Sequence, residues 1–382
     1  MLIFAETQLD WITAMLACFR QGATIVAAYA TLGEEGVTTS LNQTNASICV
    51  CDAKLFNVVQ SSAKNCPGLR FVVPIMTPAD SMQPQDMEKA FGGDIRVRST
   101  DQLVEGCSKV IDAVPPSPAD VAVIMYTSGT TGSSKGVMIT HQNIVTQSES
   151  SLKIMPFINT TSVYLGYLPL AHIMELSIEV AMLSAGAAIG YGSPQTLTST
   201  GVKLAKGQEG DAPMLKPTLL VFAPAVLDKI YSGVKDKVAK KGGASAALFN
   251  QALQAGYKNY DAGGVGCGAA WNLLMYQAVQ SLVGGRVMHI IAGSAPLSAE
   301  IQKFAQSCFN CPVRQDYGLT ETMAASCVAV AQDNTQRPGT FVRLRDWPES
   351  GYTNADVNVE GIGKRRARCW SARSCIPGVP GH

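Results

Sequence analysis

Ten residues ahead of the chain's midpoint concentrate the groups that hold phosphate: Thr127-Ser128-Gly129-Thr130-Thr131-Gly132-Ser133-Ser134-Lys135-Gly136. Glycines let backbone N–H groups turn towards phosphate oxygens. Hydroxyls add neutral donors, and Lys135 adds one cation. The chemistry this implies is the cradling of a polyphosphate. The spacing is not that of a P-loop, because Gly-x4-Gly-Lys-Ser/Thr is absent. Taken alone, the same string also fits a plain Ser/Thr/Gly hairpin loop.

Three other segments carry candidate chemistry. Ile290 to Leu297 reads as a strand ending in the small-residue turn Gly293-Ser294-Ala295-Pro296, where a flat ligand can lie against backbone. By itself it reads as an ordinary strand-to-helix turn. Asp316-Tyr317-Gly318-Leu319-Thr320-Glu321-Thr322 offers an aromatic ring, a hydroxyl and a carboxylate, the last a fit ligand for a hard cation. A lone Thr-Glu pair is more often a helix start. Leu168-Pro169-Leu170-Ala171-His172 places one histidine after an apolar run. Two decoys are set aside. Gly264 to Ala269 fits G-x-G-x-x-A, yet polar Lys258 to Asp261 precede it where a dinucleotide fold needs a strand. Cys308 and Cys311 form a CxxC without the second pair or histidine that zinc wants.

The elements that must position these groups alternate. Leu2–Ala5, Thr24–Tyr29, Ser47–Cys51 and Phe71–Ile75 read as strands, with helices over Asp10–Arg20 and Glu34–Thr44. Strand–helix alternation predicts a doubly wound α/β fold with parallel sheets. Residues 74–99, rich in Met, Pro and Asp, read as a surface excursion. Val121–Tyr126 is a strand feeding the phosphate motif. Val137–Ile139 resumes a strand, and Thr140 is placed to cap a helix beginning near His141. Further along, Ala225–Lys241 and Ser298–Cys308 read as helices. Val287–Ile291 reads as a strand and Val313–Tyr317 as a strand edge. Residues 115–118, Pro-Pro-Ser-Pro, are the clearest punctuation. The expected domains are 1–118, a first α/β subdomain; 119–345, a second with the ATP motifs; and 346–382, a remnant and tail.

Composition bounds the rest. The chain has 382 residues, 15% charged, with formal net charge +1, so no strong field draws it to nucleic acid. Eleven scattered cysteines read as reduced thiols inside a cell. The apolar stretch from Tyr164 to Tyr191 is interrupted by His172, Glu175 and Glu179, and reads as buried helix and strand rather than a membrane span. No transmembrane segment is expected.

Together the motifs resemble the adenylate-forming (AMP-binding) enzymes. Residues 29–36 (Tyr-Ala-Thr-Leu-Gly-Glu-Glu-Gly), 215–218 (Leu-Lys-Pro-Thr) and 344–348 (Leu-Arg-Asp-Trp-Pro) make the chain similar to the long-chain fatty acid–CoA ligase branch. The resemblance covers nearly all of residues 1–360. It implies the large lobe of an acyl-adenylating enzyme, with fragments of a β-barrel. It further implies ATP, Mg2+ and coenzyme A as cofactors and substrates, and activation of a fatty acid to acyl-AMP and then acyl-CoA. By the same resemblance Thr127, Ser128, Gly129, Thr130, Thr131, Gly132 and Lys135 hold phosphates, while Gly293, Ser294, Ala295 and Pro296 line the adenine pocket. Tyr317 and Gly318 flank adenine, Thr320 meets the α-phosphate, Thr127 and Glu321 serve the metal, and His172 orients the carboxylate or gates the acyl channel. The family expectation is an intracellular enzyme at the cytoplasmic face of the endoplasmic reticulum or another organelle, with peripheral membrane association. A non-catalytic ATP- or acyl-binding remnant, and a ligase for another carboxylic acid, are the alternatives.

The chain departs from the family pattern in several places. Asp316 stands where glycine is usual and should weaken ATP unless it turns away. Strands upstream of Met1, a ribose-binding aspartate motif, and a small C-terminal lobe with a catalytic lysine are absent, so the chain reads as truncated at both ends and impaired. After Ile362 the text loses its pattern. Residues 366–371 can be encoded so that another frame reads Gly-Glu-Val-Leu-Val, and the tail is read as out of frame.

Overall fold

The structure is a computed structural model. It describes residues 1–127 and 135–329 and, beyond them, the backbone of three short strands, Gln336–Pro338, Val342–Arg345 and Arg368–Ser371. The chain divides into two compact units. The first holds Met1–Ser148, Ile158–Pro217 and Leu282–Gly284, and the second holds Glu149–Phe157, Thr218–Ser281 and Gly285–His382.

The first unit is built on a seven-stranded sheet. Its strands are β1 (Leu2–Phe4), β2 (Ile25–Ala28), β3 (Ile48–Asp52), β4 (Phe71–Ile75), β5 (Arg96–Val97), β6 (Val121–Thr127) and β7 (Lys135–Thr140), in the order β5-β4-β3-β1-β2-β6-β7. All neighbours are parallel except β6 and β7, which form an antiparallel hairpin. Leu2, Ile3 and Phe4 are all buried, as a central parallel strand covered on both faces requires. The helices are α1 (Leu9–Arg20), α2 (Glu34–Thr44), α3 (Phe56–Ala63), α4 (Pro84–Ala90) and α5 (Thr100–Glu105). Trp11, Ile12 and Met15 of α1 share its buried face, the i, i+1, i+4 pattern of an amphipathic helix.

The expected surface excursion over 74–99 is corrected here. It holds α4 and the edge strand β5, and its Met87 and Val97 are essentially unexposed. Composition hid them, because two apolar anchors suffice to dock a polar segment.

Helix α6 (His141–Ile154) follows the hairpin. Thr140 and Asn143 cap its start reciprocally: the Thr140 N–H donates to Asn143 Oδ1 at 3.0 Å, and the Asn143 N–H donates to Thr140 Oγ1 at 3.2 Å. The unit continues with β8 (Val163–Gly166), α7 (Ile173–Ser184) and β9 (Ala188–Tyr191), a right order for a parallel strand–helix–strand unit, and β8 and β9 pair in parallel. The short α8 (Asp211–Leu215) closes it.

The second unit holds β10 (Leu219–Phe222), α9 (Pro224–Lys241), α10 (Gly243–Asp261), the short turns α11 (Ala269–Trp271) and α12 (Gln277–Gln280), β11 (His289–Ala292), α13 (Ala299–Phe309), β12 (Val313–Leu319) and β13 (Ala324–Ala329). β10, β11 and β12 are parallel, and β12 with β13 is antiparallel. β12 therefore lies inside the sheet rather than at its edge. The residues from Gly264 to Gly268 follow helix α10, not a strand, so the glycine run lacks the setting of a dinucleotide site. Among the described residues, no helix is long and apolar enough to cross a membrane.

Candidate functional site

The phosphate motif is carried by the β6–β7 hairpin of the first unit. The ladder holds Thr127 directly opposite Lys135, and Thr127 Oγ1 donates to the Lys135 carbonyl at 3.5 Å. Ser128, Gly129, Thr130, Thr131 and Gly132 lie outside the described residues. What the structure fixes is the neck of their loop. Strand β7 starts at Lys135, two residues earlier than the sequence predicts, so the lysine backbone is held by a ladder while its side chain is exposed. No carboxylate of the described residues forms an ion pair with it. Gly136 makes the hairpin close-fitting: a Cβ there would press on Ile124 at 3.1 Å and on the Tyr126 ring at 3.6 Å.

His172 sits in the same unit and caps α7. Its Nδ1 accepts the Met174 N–H at 3.2 Å, and burial lowers its pKa, so the ring is neutral at pH 7 with its proton on Nε2. The segment before it hangs on Thr7, which no motif singled out. The Thr7 hydroxyl donates to the Leu168 carbonyl at 2.5 Å and accepts the Leu170 N–H at 2.8 Å.

The other motif residues gather in the second unit. β11 and β12 are parallel neighbours, with Ala292 opposite Gln315. The turn after β11 and the residues after Asp316 therefore lie at the same, carboxyl end of adjacent strands, where open α/β sheets bind ligands. The Gly293 N–H donates to the Phe222 carbonyl at 3.3 Å, and Ser294 adopts a left-handed backbone with φ 70°. The Leu297 N–H donates to Gln315 Oε1 at 3.4 Å, and Ser298 caps α13 by accepting the Ile301 N–H at 3.3 Å. Gly293-Ser294-Ala295-Pro296 is thus pinned at both ends.

Tyr317 and Gly318 stand at a register shift between β12 and β13. Only glycine fits at 318, since a Cβ there would lie 1.8 Å from the Ala324 carbonyl oxygen. Thr320-Glu321-Thr322 form one 3-10 turn. The Leu319 N–H donates to Thr322 Oγ1 at 3.0 Å, and Ser326 donates to the same oxygen at 2.8 Å. Thr322, which closes the motif without a role assigned to it there, and Ser326, which no motif includes, brace the turn that displays Thr320 and an exposed Glu321.

Asp316, expected from the motif resemblance to weaken ATP unless it turns away, is held in a buried setting. Its carboxyl is buried, Oδ1 has no partner, and burial pushes its pKa up to about 7. It is therefore protonated about half the time at pH 7 and largely neutral below that, rather than a fixed anion.

A cleft of about 830 Å³ opens beside α4 and β5, lined by Pro84, Glu88, Lys89, Val97, Arg98 and Gln102 among others. It shares no residue with the motifs, and its charges are paired, Arg98 with Glu88 at 2.6 Å and Lys89 with Asp86 at 3.1 Å. The candidate site is placed by the motif residues instead.

The chain matches the family model described as AMP-binding enzyme over residues 1–360. It is 37% identical over 368 residues to long chain acyl-CoA synthetase 8 of Arabidopsis thaliana, covering 93% of this chain and 50% of that protein. In fold it is similar to the adenylation domain of a carboxylate reductase from Mycobacterium chelonae, with TM-score 0.72 at 19% identity, covering 97% of this chain and 54% of that one. It is also similar to the A-PCP didomain of a carboxylic acid reductase from Segniliparus rugosus in complex with AMP, with TM-score 0.71 at 19% identity, covering 93% and 46%. The chain spans about half the length of the relatives it matches.

Proposed function

The chain belongs to the AMP-binding enzymes, and from that premise we propose that it carries the nucleotide-binding part of a ligase that activates a long-chain fatty acid. In the first step a fatty carboxylate oxygen attacks the α-phosphorus of ATP and pyrophosphate leaves. In the second, the thiol of coenzyme A, losing its proton, displaces AMP from the acyl carbon and gives the thioester. The long-chain substrate follows the acyl-CoA synthetase relatives, 37% and 34% identical over more than nine-tenths of this chain.

One observation carries the nucleotide reading. Gly293–Pro296 and Tyr317–Glu321 occupy the carboxyl ends of neighbouring parallel strands, on turns pinned by hydrogen bonds. In this reading the Tyr317 ring stacks on adenine, Gly293 to Pro296 let the ring plane approach backbone, and Thr320 donates to the α-phosphate. Lys135 and Thr127, at the neck of the hydroxyl-rich loop of the first unit, are phosphate-binding residues by the family resemblance. In the second unit Glu321 offers one exposed carboxylate to Mg2+, an ion that takes its other oxygens from phosphate and water. When bound, the ion neutralises charge on the leaving pyrophosphate. The protein's own contribution is positioning and fixed donors where negative charge grows. Peripheral attachment to an intracellular membrane belongs to the same proposal, since the acyl substrate is drawn from lipid.

Calorimetry and ATP–pyrophosphate exchange test it. The folded chain is expected to bind MgATP at millimolar concentration. Lys135→Ala should weaken binding roughly tenfold, the order of one charge-assisted hydrogen bond. Exchange stimulated by palmitate but not by an aryl acid supports the fatty substrate, and stimulation by the aryl acid alone moves the chain to another ligase class. Binding without exchange leaves an ATP-binding remnant. A folded protein that binds no MgATP overturns the reading.

A further inference from the structure

Helix α7 carries Glu175 and Glu179 one turn apart on one face, and neither has any exposed surface. A tyrosine from each neighbouring strand answers one carboxyl oxygen. Tyr164 of β8 donates to Glu175 Oε2 at 2.6 Å, and Tyr191 of β9 donates to Glu179 Oε2 at 2.9 Å. The second oxygen of each, Oε1, is buried with no donor. Both converge on Gly166: a Cβ at that position would lie 2.9 Å from Glu179 Oε1 and 3.1 Å from Glu175 Oε1. Glycine leaves the space that the two oxygens fill.

Two ionised carboxylates cannot rest there. The two Oε1 atoms crowd the same space beside Gly166, and no lysine, arginine or histidine of the described residues forms an ion pair with either carboxyl. An uncompensated buried charge costs several kcal/mol, and a second like charge beside it adds repulsion. One proton between the Oε1 atoms removes a charge and turns two orphan acceptors into one hydrogen bond.

We propose that Glu175 and Glu179 share one proton, and that this proton is a pH-sensitive latch holding α7 against β8 and β9. The titratable groups that face the pair are Tyr164 on β8, Tyr167 just beyond it and Tyr191 on β9. Burial raises all three tyrosines, so they remain donors. For Glu175 burial acts first and the repulsion of Glu179 second, and for Glu179 burial acts first; both carboxyls are raised. The sign follows. A carboxyl raised in the fold contributes stability that is complete below the ordinary carboxylate range and is lost as pH rises through the folded value. On alkalinisation the shared proton leaves to solvent and α7 loosens. The His172 cap and the Leu168–Leu170 segment hung on Thr7 loosen with it.

Infrared spectroscopy and thermal unfolding of the whole chain test this. Near pH 7 the native protein should show the carbonyl stretch of a protonated carboxylic acid, and Glu179→Gln should remove one such acid from the difference spectrum. The glutamine amide donates to Glu175 Oε1 without a titratable proton. Between about pH 6 and 9 the native melting temperature should fall more steeply than that of Glu179→Gln, by roughly 1–2 °C per pH unit across the titration. An unchanged band together with parallel melting curves overturns the proposal. If the variant does not fold, native hydrogen exchange decides. Protection factors of α7 amides should drop with rising pH while those of β3 hold, and constant factors in both overturn it.

Discussion

At the scale of single residues, Asp316 shows what burial does to a carboxyl. Its ordinary pKa of 3.8 is pushed up to about 7 by burial. The fold therefore holds a proton that the unfolded chain releases, and this contribution to stability is complete below about pH 4 and lost as pH rises through 7. Asp316→Asn keeps the shape and cannot ionise. It is expected to be more stable than the native chain at pH 8 by roughly 1–3 kcal/mol, with a smaller advantage at pH 5 that vanishes below about pH 4. Urea unfolding at the two values checks it, and equal differences at both would sink the claim. The residues that could be named from sequence were those whose type is the signal: the hydroxyls and glycines of the loop, Tyr317, and Gly318, where no side chain fits. Thr7, Gln315, Thr322 and Ser326 were illegible. They act through hydrogen bonds to chain neighbours or to distant segments, and nothing in their local pattern separates them from other polar residues.

At the scale of elements, the alternation of apolar strand and amphipathic helix located β1 to β4, α1 and α2 within one or two residues, because these segments bury whole faces. β5 and α4 were missed because each is short and docks through one or two anchors. The start of α7 raises a question of role. His172 spends Nδ1 on the Met174 N–H, which makes the residue a cap whatever else it does. Burial lowers its pKa below the ordinary 6.5. A lowered histidine contributes stability that is present above 6.5 and lost as pH falls through the folded value, when Nδ1 gains a proton and can no longer accept. His172→Ala should cost about 1 kcal/mol, the usual worth of a cap, and His172→Asn should restore it and remove the acid sensitivity. Pyrophosphate exchange is expected to survive in the asparagine variant. A stable His172→Asn protein with exchange abolished would instead assign Nε2–H to the acyl substrate.

At the scale of the molecule, the two units are interleaved along the chain. Glu149–Phe157 belongs to the second unit yet lies between segments of the first, and Leu282–Gly284 belongs to the first yet lies between segments of the second. Helix α6 runs across the first of these junctions. Sequence order could not show this, since punctuation such as the prolines at 115–118 marks turns and not the spatial return of a chain. Interleaving has a mechanical consequence: opening either unit pulls on chain that is packed in the other, so the two should unfold together. The cysteines provide the readout. Of the nine described, Cys107 is exposed and Cys18 half-buried, and the other seven are buried. Cys49, Cys51 and Cys66 lie in the first unit, and Cys267, Cys308, Cys311 and Cys327 in the second. The Cys49 hydrogen bond and then burial raise the thiol of Cys51, and burial raises those of Cys66, Cys267, Cys308 and Cys311, which removes the reactive thiolate as well as access. Pulse labelling across a urea gradient, read by mass spectrometry, should show Cys107 modified in the native state. All seven buried thiols should become reactive at one shared midpoint. If the three thiols of the first unit react at a lower urea concentration than the four of the second, the units open independently and the interleaved chain does not couple them.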